Sequence, residues 1–298
     1  GGTGSRLAAG TGRTAPGLAV LNRFELPGAR GTLRWQGTAV MGIVNVTPDS
    51  FSDGGRHADV ASAVEHALRL MNDGALLVDV GGESTRPGSD SISAAEETAR
   101  TVPVIRALAE LGVPCSIDTR KPEVAEAALA AGAWLVNDIG GLRDPRMLSL
   151  CAEAAVPAVI MHMQGEPRTM QDDPVYGDVV AEVRHMLHVQ AEAAAAAGVP
   201  GVLLDPGIGF GKTVQHNLTL LLRLGQLADL ELPLLVGVSR KGFLKSLGAS
   251  GEPASRDAAS VAVHLDAARR GAAMVRVHDV ASHVQALAAQ TALLEAEV

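Results

Sequence analysis

The stretch from Ala39 to Gly55 reads AVMGIVNVTPDSFSDGG and decides how the rest of the chain is interpreted. Its first part, 39–46, is a short apolar run rich in β-branched residues, which predicts a strand buried on both faces. Its second part changes to Pro, Asp, Ser and Gly residues, which favour turns. Asn45 therefore stands at the carboxyl end of a buried strand, where parallel α/β folds bind their ligands.

The same alternation of an apolar strand, a polar loop and a helix recurs along the whole chain. The predicted strands are 39–46, 76–81, 113–118, 134–138, 157–162, 201–205, 234–239 and 273–278. The predicted helices are 58–73, 93–111, 121–131, 144–155, 175–198, 216–228, 256–270 and 280–296. Eight such pairs predict an α/β fold, a single (β/α)₈ barrel. A doubly wound open sheet is the alternative, but no GxGxxG motif follows the first strand.

The predicted barrel domain covers residues 23–298, with a short hairpin over 23–37 as a lead-in. A Gly-, Ala- and Thr-rich segment, 1–22, precedes it and predicts a flexible tail. The 298 residues carry a formal net charge of −8, which disfavours general nucleic-acid binding. No apolar run is long enough to span a bilayer, and no signal peptide is recognised, so we expect no membrane partner. Cys115 and Cys151 predict buried free thiols and a cytoplasmic location.

Every predicted strand delivers polar or charged residues at the same end. Inside a barrel such residues are costly unless they meet each other or a ligand, so we expect one shared site. The carboxylates of Asp118 and Asp205 and the amide of Asn137 form an acceptor-rich set, which suits a flat heterocycle that presents several N–H donors. Lys241 would complement the acceptor atoms of the same ring.

A cationic set is expected opposite the acceptors, formed by Arg276, His278 and Arg86. Arg276 and His278 are two residues apart on one strand, so both side chains lie on the same face, a geometry suited to a phosphate group. Asn45 offers a neutral oxygen to Mg²⁺, which takes one or two protein ligands and fills its other positions with phosphate and water. The cationic set therefore predicts a diphosphate subsite.

The motifs of the chain, taken in order, resemble those of the dihydropteroate synthase family over roughly residues 39–290. They are MGIVNVTPDSFSDGG, DVGGESTRPGS, SIDTRKPEVA, VNDIGGL, MHMQGEPRTMQ, DPGIGFGK, VGVSRKG and RVHDV. The resemblance implies a (β/α)₈ barrel that commonly forms a homodimer. It also implies an enzyme that joins 6-hydroxymethyl-7,8-dihydropterin diphosphate to p-aminobenzoate and releases diphosphate.

The resemblance also implies a role for individual residues. It assigns the pterin to Asp118, Asn137, Met161, Asp205 and Lys241, with Arg276 stacked nearby. It assigns the diphosphate and its Mg²⁺ to Asn45, Thr85, Arg276, His278 and the backbone at Val277. The p-aminobenzoate is expected against Phe51, Thr85, Arg86, Pro87, Phe210, Ser239 and Lys241. Of these residues, the ones expected to act in catalysis are Asp118, Lys241, Arg276 and Arg86.

Several polar residues near the predicted site are interpreted as structural. Asp79 and Asp138 are expected to hold barrel-top loops by hydrogen bonds, and His162 to be a core histidine. The glycines of 207–211 predict a close backbone turn beside the ligand, and Lys212 is open between a solvated loop lysine and a site residue. The Gly- and Pro-containing loops after the first two strands are expected to order only when diphosphate and Mg²⁺ are bound.

Two other functions remain open at this point. A pterin-dependent methyltransferase of the same barrel fold would share the pterin pocket, but it would not need Arg276 with His278 or the ESTRPG loop. A non-catalytic pterin-binding paralogue would be expected to lose parts of the two loops, and in this sequence both are complete.

Overall fold

The computed structural model describes residues 22–47, 55–84 and 91–296. An antiparallel hairpin comes first, formed by β1 (Arg23–Gly28) and β2 (Gly31–Gln36). Eight parallel strands follow and close into a barrel in sequence order, because the last strand pairs with both the first and the seventh. They are β3 (Ala39–Asn45), β4 (Leu77–Gly81), β5 (Cys115–Asp118), β6 (Leu135–Asp138), β7 (Ala158–Met161), β8 (Val202–Asp205), β9 (Leu234–Val236) and β10 (Ala272–Val277). The predicted barrel and hairpin are confirmed.

Helices cover the outside of the barrel and pack their apolar faces on the outward side chains of the strands. They are α1 (Gly55–Asn72), α2 (Ala94–Glu110), α3 (Pro122–Ala131), α4 (Pro145–Glu153), α5 (Val179–Ala197), α6 (Val214–Leu222), α7 (Gly225–Ala228), α8 (Asp257–Arg269) and α9 (Val280–Glu295). In the described ranges, none of them has the length and apolar character that a membrane span requires.

Three predicted boundaries are wrong for identifiable local reasons. The helix predicted from 175 begins at Val179, because the Asp178 carboxylate caps it by accepting the N–H groups of Val180 and Ala181 at 2.9 and 3.1 Å. The helix predicted over 216–228 is divided into α6 and α7. The seventh strand ends at Val236 instead of 239, because the chain turns at Arg240, whose φ is +59°.

The hairpin closes the amino-terminal end of the barrel. Leu26 and Leu33 are buried there in one cluster with the first inward-facing layer of the strands, formed by Met41, Leu77, Leu135, Val159, Leu203, Leu235 and Met274. The indole N–H of Trp35 also donates to the carbonyl of Ala273 at 2.8 Å. Because this end is filled with apolar side chains, a polar ligand can enter the barrel only from the carboxyl end.

Candidate active site at the carboxyl end of the barrel

The barrel interior changes from apolar to polar toward the carboxyl ends of the strands. Because side chains alternate along a strand, the positions two and four residues beyond the apolar layer face the same interior. Strand register places Asp79 beside Ser116, Asp118 beside Asn137, and Met161 beside Asp205. The residues that the sequence predicted at separate strand ends therefore converge on the carboxyl end of the barrel interior.

Asp79 lies at the centre of the polar layer and is fully buried. Its carboxylate accepts hydrogen bonds from Arg276 Nε at 2.6 Å, from Asn137 Nδ2 at 2.8 Å and from Ser116 Oγ at 2.6 Å. The interpretation of Asp79 as a loop-holding residue is wrong, because it contacts two predicted ligand groups directly. Its position two residues after the inward-facing Leu77 is the signal that would have placed it in the site.

Asp138 behaves as the sequence predicted. Its two carboxylate oxygens accept the backbone N–H groups of Gly140 and Leu142 at 2.7 and 2.8 Å, so it holds the loop that follows β6. Two buried aspartates that had one interpretation thus have different surroundings, one across the barrel interior and the other within a loop.

Asp118 and Arg276 form an ion pair inside the acceptor-rich set. Arg276 Nη2 donates to Asp118 Oδ2 at 2.7 Å while Arg276 Nε donates to Asp79. Arg276 therefore lies among the acceptors and not opposite them as predicted, and its expected contact with the diphosphate stays a prediction. Burial raises the pKa of Asp118, an effect that the Arg276 guanidinium partly offsets and the nearby Asp79 carboxylate reinforces. The other oxygen, Oδ1, is buried and accepts no hydrogen bond from any described residue.

Asp205 and Lys241 lie on the other side of the mouth. Asp205 Oδ1 accepts the backbone N–H of Gly207 at 2.7 Å, and burial raises the pKa of this carboxyl. Lys241 Nζ donates to the carbonyl of Ile208 and lies 4.5 Å from the centroid of the Phe210 ring. Burial lowers the pKa of Lys241 to about 8, against the opposing effect of Asp205.

An apolar surface accompanies these charges. It is formed by buried residues of the loops and strand ends, with the half-buried Phe210 packed against them: Ile139, Met161, Met163 and Met170. Polarizable thioether and aromatic side chains of this kind make favourable contacts with flat rings. The mouth therefore combines hydrogen-bonding groups at one edge with a surface on which a ring can lie.

The loop after β8 makes the close backbone turn that its glycines predicted. Gly207 has a φ of +66°, and a Cβ atom there would lie 1.8 Å from the carbonyl oxygen of His162. Only glycine fits this position.

Lys212 is buried beneath this loop, so the solvated interpretation of this lysine is wrong. Its ammonium contacts the carbonyl oxygens of Gly207 and Phe210, each at 2.9 Å, and His162 Nδ1 at 3.0 Å. Burial lowers the pKa of His162 to about 3, so its ring is neutral and accepts from Lys212. The prediction of a core histidine at position 162 is confirmed.

The ends of β9 and β10 are joined by a hydrogen bond at the mouth. Ser239 Oγ lies 2.9 Å from His278 Nδ1 and accepts the backbone N–H of His278 at 3.1 Å. The side chain of Val277 is buried in the layer between barrel and helices, so only its backbone is available to the mouth. Asn45, half-buried at the end of β3, pairs with Gly81 of β4.

Phe51, Thr85, Arg86 and Pro87 lie outside the described residues, and the predicted ordering of their two loops stays a prediction.

A cavity of about 170 Å³ opens beside Asp118, between the loops that follow β4, β5, β6 and β7. On its wall, the Lys121 ammonium lies 2.5 Å from a carboxylate oxygen of Glu83 and from one of Glu97, so Glu83 takes part in a structural ion pair.

The donor set suits a magnesium ion that a ligand shares. Within the described ranges, no group of three or more His, Cys, Asp or Glu residues is arranged to hold a metal. The amide oxygen of Asn45 is a hard, neutral donor, and Mg²⁺ commonly takes one or two protein ligands with phosphate and water as the others. Asn45 therefore fits a Mg²⁺ ion that a diphosphate accompanies.

Known proteins are similar to this chain in sequence and in fold. The family model described as "Pterin binding enzyme" matches residues 41–278. A dihydropteroate synthase of Escherichia coli strain K12 is 47% identical over 261 residues, which are 87% of this chain and 92% of that protein.

Two solved structures are similar over nearly their whole length. One is a Xanthomonas albilineans dihydropteroate synthase in complex with 7,8-dihydropteroate, with a TM-score of 0.82, 46% identity, and coverage of 90% of this chain and 98% of that one. The other is a Yersinia pestis dihydropteroate synthase with a sulfonamide drug, with a TM-score of 0.85, 44% identity, and coverage of 91% and 100%.

Proposed function

The chain belongs to the dihydropteroate synthase family of pterin-binding enzymes, and from this premise we propose how its own residues carry out the reaction. It is a transferase of folate biosynthesis that condenses 6-hydroxymethyl-7,8-dihydropterin diphosphate with p-aminobenzoate, and it gives 7,8-dihydropteroate and diphosphate. The Yersinia pestis relative was solved with a sulfonamide drug, so we expect this chain to be a sulfonamide target as well. The identities of its relatives, from 44% to 47%, extend over nearly the whole barrel and support this activity.

The observation that carries the residue assignment is the orphaned oxygen of Asp118. Its Oδ1 is buried at the mouth without a donor from the described residues, while Oδ2 is bound to Arg276. A buried acceptor without a partner is costly, and a ligand that brings N–H groups removes the cost. The amino-substituted edge of a pterin supplies such donors, to Asp118 and also to Asp205. The amide of Asn137 continues this edge, and Lys241 donates to the oxygen of the ring.

The reaction breaks the bond between the pterin methylene carbon and the diphosphate oxygen, and the electron pair leaves with diphosphate. The buried carboxylates of Asp118 and Asp205 stabilise the positive charge that spreads over the pterin ring. Arg276 and His278 bind the departing oxygens. Asn45 would hold Mg²⁺ when the ion is bound, and the ion would then supply further neutralisation of the diphosphate charge.

The amine nitrogen of p-aminobenzoate then forms the new bond to the methylene carbon and loses one proton to solvent. Arylamines are uncharged near pH 7, so the main task of the protein is to position the nitrogen. Ser239, Lys241 and the ring of Phe210 line the side of the mouth where we place this substrate. The predicted contacts of Phe51, Thr85, Arg86 and Pro87 belong to the same proposal.

A product assay tests the proposed function. The purified protein is incubated with the pterin diphosphate, p-aminobenzoate and Mg²⁺, and 7,8-dihydropteroate and diphosphate are measured separately. We expect both products in equal amounts, loss of both when p-aminobenzoate is omitted or Mg²⁺ is chelated, and inhibition by a sulfonamide.

Asp118→Asn should lower kcat/KM by about 100-fold, comparable to the loss of one charge-stabilising group in other enzymes. Binding of the pterin without turnover would favour the non-catalytic paralogue instead, and methyl transfer would favour the methyltransferase.

The proposal includes a homodimer in the cytoplasm. The family resemblance implies the dimer, and the buried free thiols of Cys115 and Cys151 favour a reducing compartment. Light scattering of the full chain should give twice the mass of 30.6 kDa.

A further inference from the structure

One face of α8 holds the turn that carries Ser239 and Lys241. His264 Nε2 accepts the backbone N–H of Val238 at 3.1 Å, and Ser260 Oγ accepts the backbone N–H of Arg240 at 3.0 Å. Ser260 and His264 are four residues apart, so they lie one turn apart on the same side of the helix. Both side chains are completely buried.

The turn needs this support because Arg240 has a φ of +59°, a conformation that a residue with a Cβ atom adopts at a cost. Arg256 Nη1 donates to the Arg240 carbonyl at 3.0 Å, and the Arg240 guanidinium donates to both oxygens of Asp257 at 2.7 Å. The strained residue is thus held at its N–H, its carbonyl and its side chain.

A second histidine connects this turn to the end of β10. His264 Nδ1 lies 2.8 Å from His283 Nε2, and His283 Nδ1 lies 2.6 Å from the carbonyl oxygen of Asp279, the residue after His278. The hydrogen-bond partners of the two rings determine which ring nitrogen donates and which accepts. A backbone N–H can only donate, so His264 Nε2 accepts and its proton is on Nδ1; His283 Nε2 then accepts, and its Nδ1–H donates to Asp279. Burial lowers the pKa of both rings, which agrees with two neutral imidazoles.

We propose that His264 and His283 are positioning residues, which form a directed hydrogen-bond chain from the Val238 N–H to the Asp279 carbonyl and fix the β9 turn against the end of β10. This inference rests on the proposed function, because the two segments carry Ser239, Lys241 and His278. At the mouth the same segments meet through the Ser239–His278 hydrogen bond, which faces the substrates. His264 and His283 are buried on the far side of this hydrogen bond from the mouth, where substrates do not reach. They keep the distance between the two segments constant when the Ser239–His278 hydrogen bond changes.

A comparison of two substitutions at position 264 separates positioning from simple filling of the core. His264→Leu fills the space but accepts no hydrogen bond from Val238, whereas His264→Gln keeps a side-chain acceptor there. We expect His264→Leu to lower kcat/KM by about 10- to 100-fold, since a displacement of about 1 Å at a reacting group can cost a factor of 100. We expect His264→Gln to recover activity to within about threefold of the wild type, because it restores the hydrogen bond that the positioning requires.

The double substitution His264→Leu with His283→Leu removes the buried polar pair while it keeps an apolar core. Replacement of both partners of a buried hydrogen bond by apolar groups is often nearly neutral for stability, so this variant should fold. We expect it to be as inactive as His264→Leu, with faster amide hydrogen exchange at Val238. Wild-type kcat/KM in the folded double variant would overturn the proposal, as would a Gln variant no better than the Leu variant.

A measurement on the unmodified protein keeps the test independent of mutant folding and of the enzymatic activity. Nitrogen NMR of the histidine rings should show both His264 and His283 with the proton on Nδ1. Protonation on Nε2 in either ring, or an imidazolium at neutral pH, would overturn the proposal even if every variant failed to fold. If the wild type formed no dihydropteroate, the proposed function would fail, whereas the tautomers and the Val238 exchange rate would still report on the hydrogen-bond chain.

Discussion

At the scale of single residues, Asp79 organises the polar end of the barrel without being a predicted ligand. Its carboxylate binds the guanidinium of Arg276 and the amide of Asn137, so it sets the orientation of two groups that we assign to the pterin diphosphate. It is also the reason why Arg276 lies among the carboxylates and not in a separate cationic set. A side chain that only orients its neighbours in this way is expected to affect substrate binding as well as stability.

The substitution Asp79→Asn tests this role. It removes the negative charge from a buried ion pair, which typically costs about 3–5 kcal/mol when one partner is lost, although Asp118 still neutralises Arg276 and should reduce this cost. We expect a lower midpoint of thermal unfolding and an increase of about tenfold or more in KM for the pterin diphosphate, because the common acceptor of Arg276 and Asn137 becomes a neutral amide oxygen that binds the guanidinium less strongly.

Asp138→Asn is the matched control for this substitution. Asp138 is also a buried aspartate at the same end of the barrel, but it accepts only the backbone N–H groups of its own loop. The substitution Asp138→Asn should lower the midpoint of thermal unfolding with little change in the KM for the pterin diphosphate. Equal effects of the two substitutions on KM would contradict the role given to Asp79.

The lowered pKa of Lys241 predicts an alkaline limit to activity. Burial shifts the pKa from 10.5 to about 8, so the ammonium loses its proton as the pH rises through about 8, and with it the ability to donate to the pterin. We therefore expect kcat/KM to fall above that pH. In Lys241→Arg the pH at which kcat/KM falls should increase by more than one unit, because a guanidinium stays protonated. If kcat/KM fell at the same pH in this variant, the fall would be caused by another group. The buried Lys212 is such a group, because burial lowers its pKa to about 7.

At the scale of helices and strands, the sequence predicted what depends on local pattern. All eight barrel strands were predicted from short apolar runs, because residues buried on both faces leave a continuous signal. The predicted end of β9 was wrong, because the chain turns at Arg240. The left-handed conformation of this residue is stabilised by Ser260, Arg256 and Asp257 of a later segment. No local pattern contains that information.

Site residues divide in the same way. Asp118 and Asp205 end their strands and Asn137 lies one residue before the end of its strand, so their position predicted that they converge at the carboxyl end of the barrel. Asp79 was misinterpreted, because its partners come from strands far along the chain. Lys212 was left open, because its burial depends on packing against His162, 50 positions earlier. The histidine pair leaves no signal in the sequence, since 19 positions separate its members and no ligand spacing marks them.

At the scale of the whole molecule, the barrel is stabilised at one end and functions at the other. The hairpin of β1 and β2 fills the amino-terminal end with Leu26 and Leu33, whereas the polar groups and the cavity lie at the carboxyl end. Conserving activity while changing stability should therefore be possible by substitution in the hairpin, as in other barrels where the two ends have separate tasks.

Leu26→Ala tests this separation. The side chain is 2% exposed and packs in the cluster that includes Met41 and Leu203, so its truncation leaves a cavity. We expect a loss of about 2–5 kcal/mol in the free energy of unfolding, the range found for buried leucines. The KM values and kcat at a temperature well below the midpoint should stay within about twofold of the wild type, because the mutated end does not contact the substrates. Leu111→Ala, at a leucine that is 58% exposed, is the matched control and should change the free energy of unfolding by less than about 0.5 kcal/mol. A large fall in kcat for folded Leu26→Ala would mean that the apolar cluster at the amino-terminal end transmits strain to the polar layer. The two ends of the barrel would then have to be treated as one coupled unit.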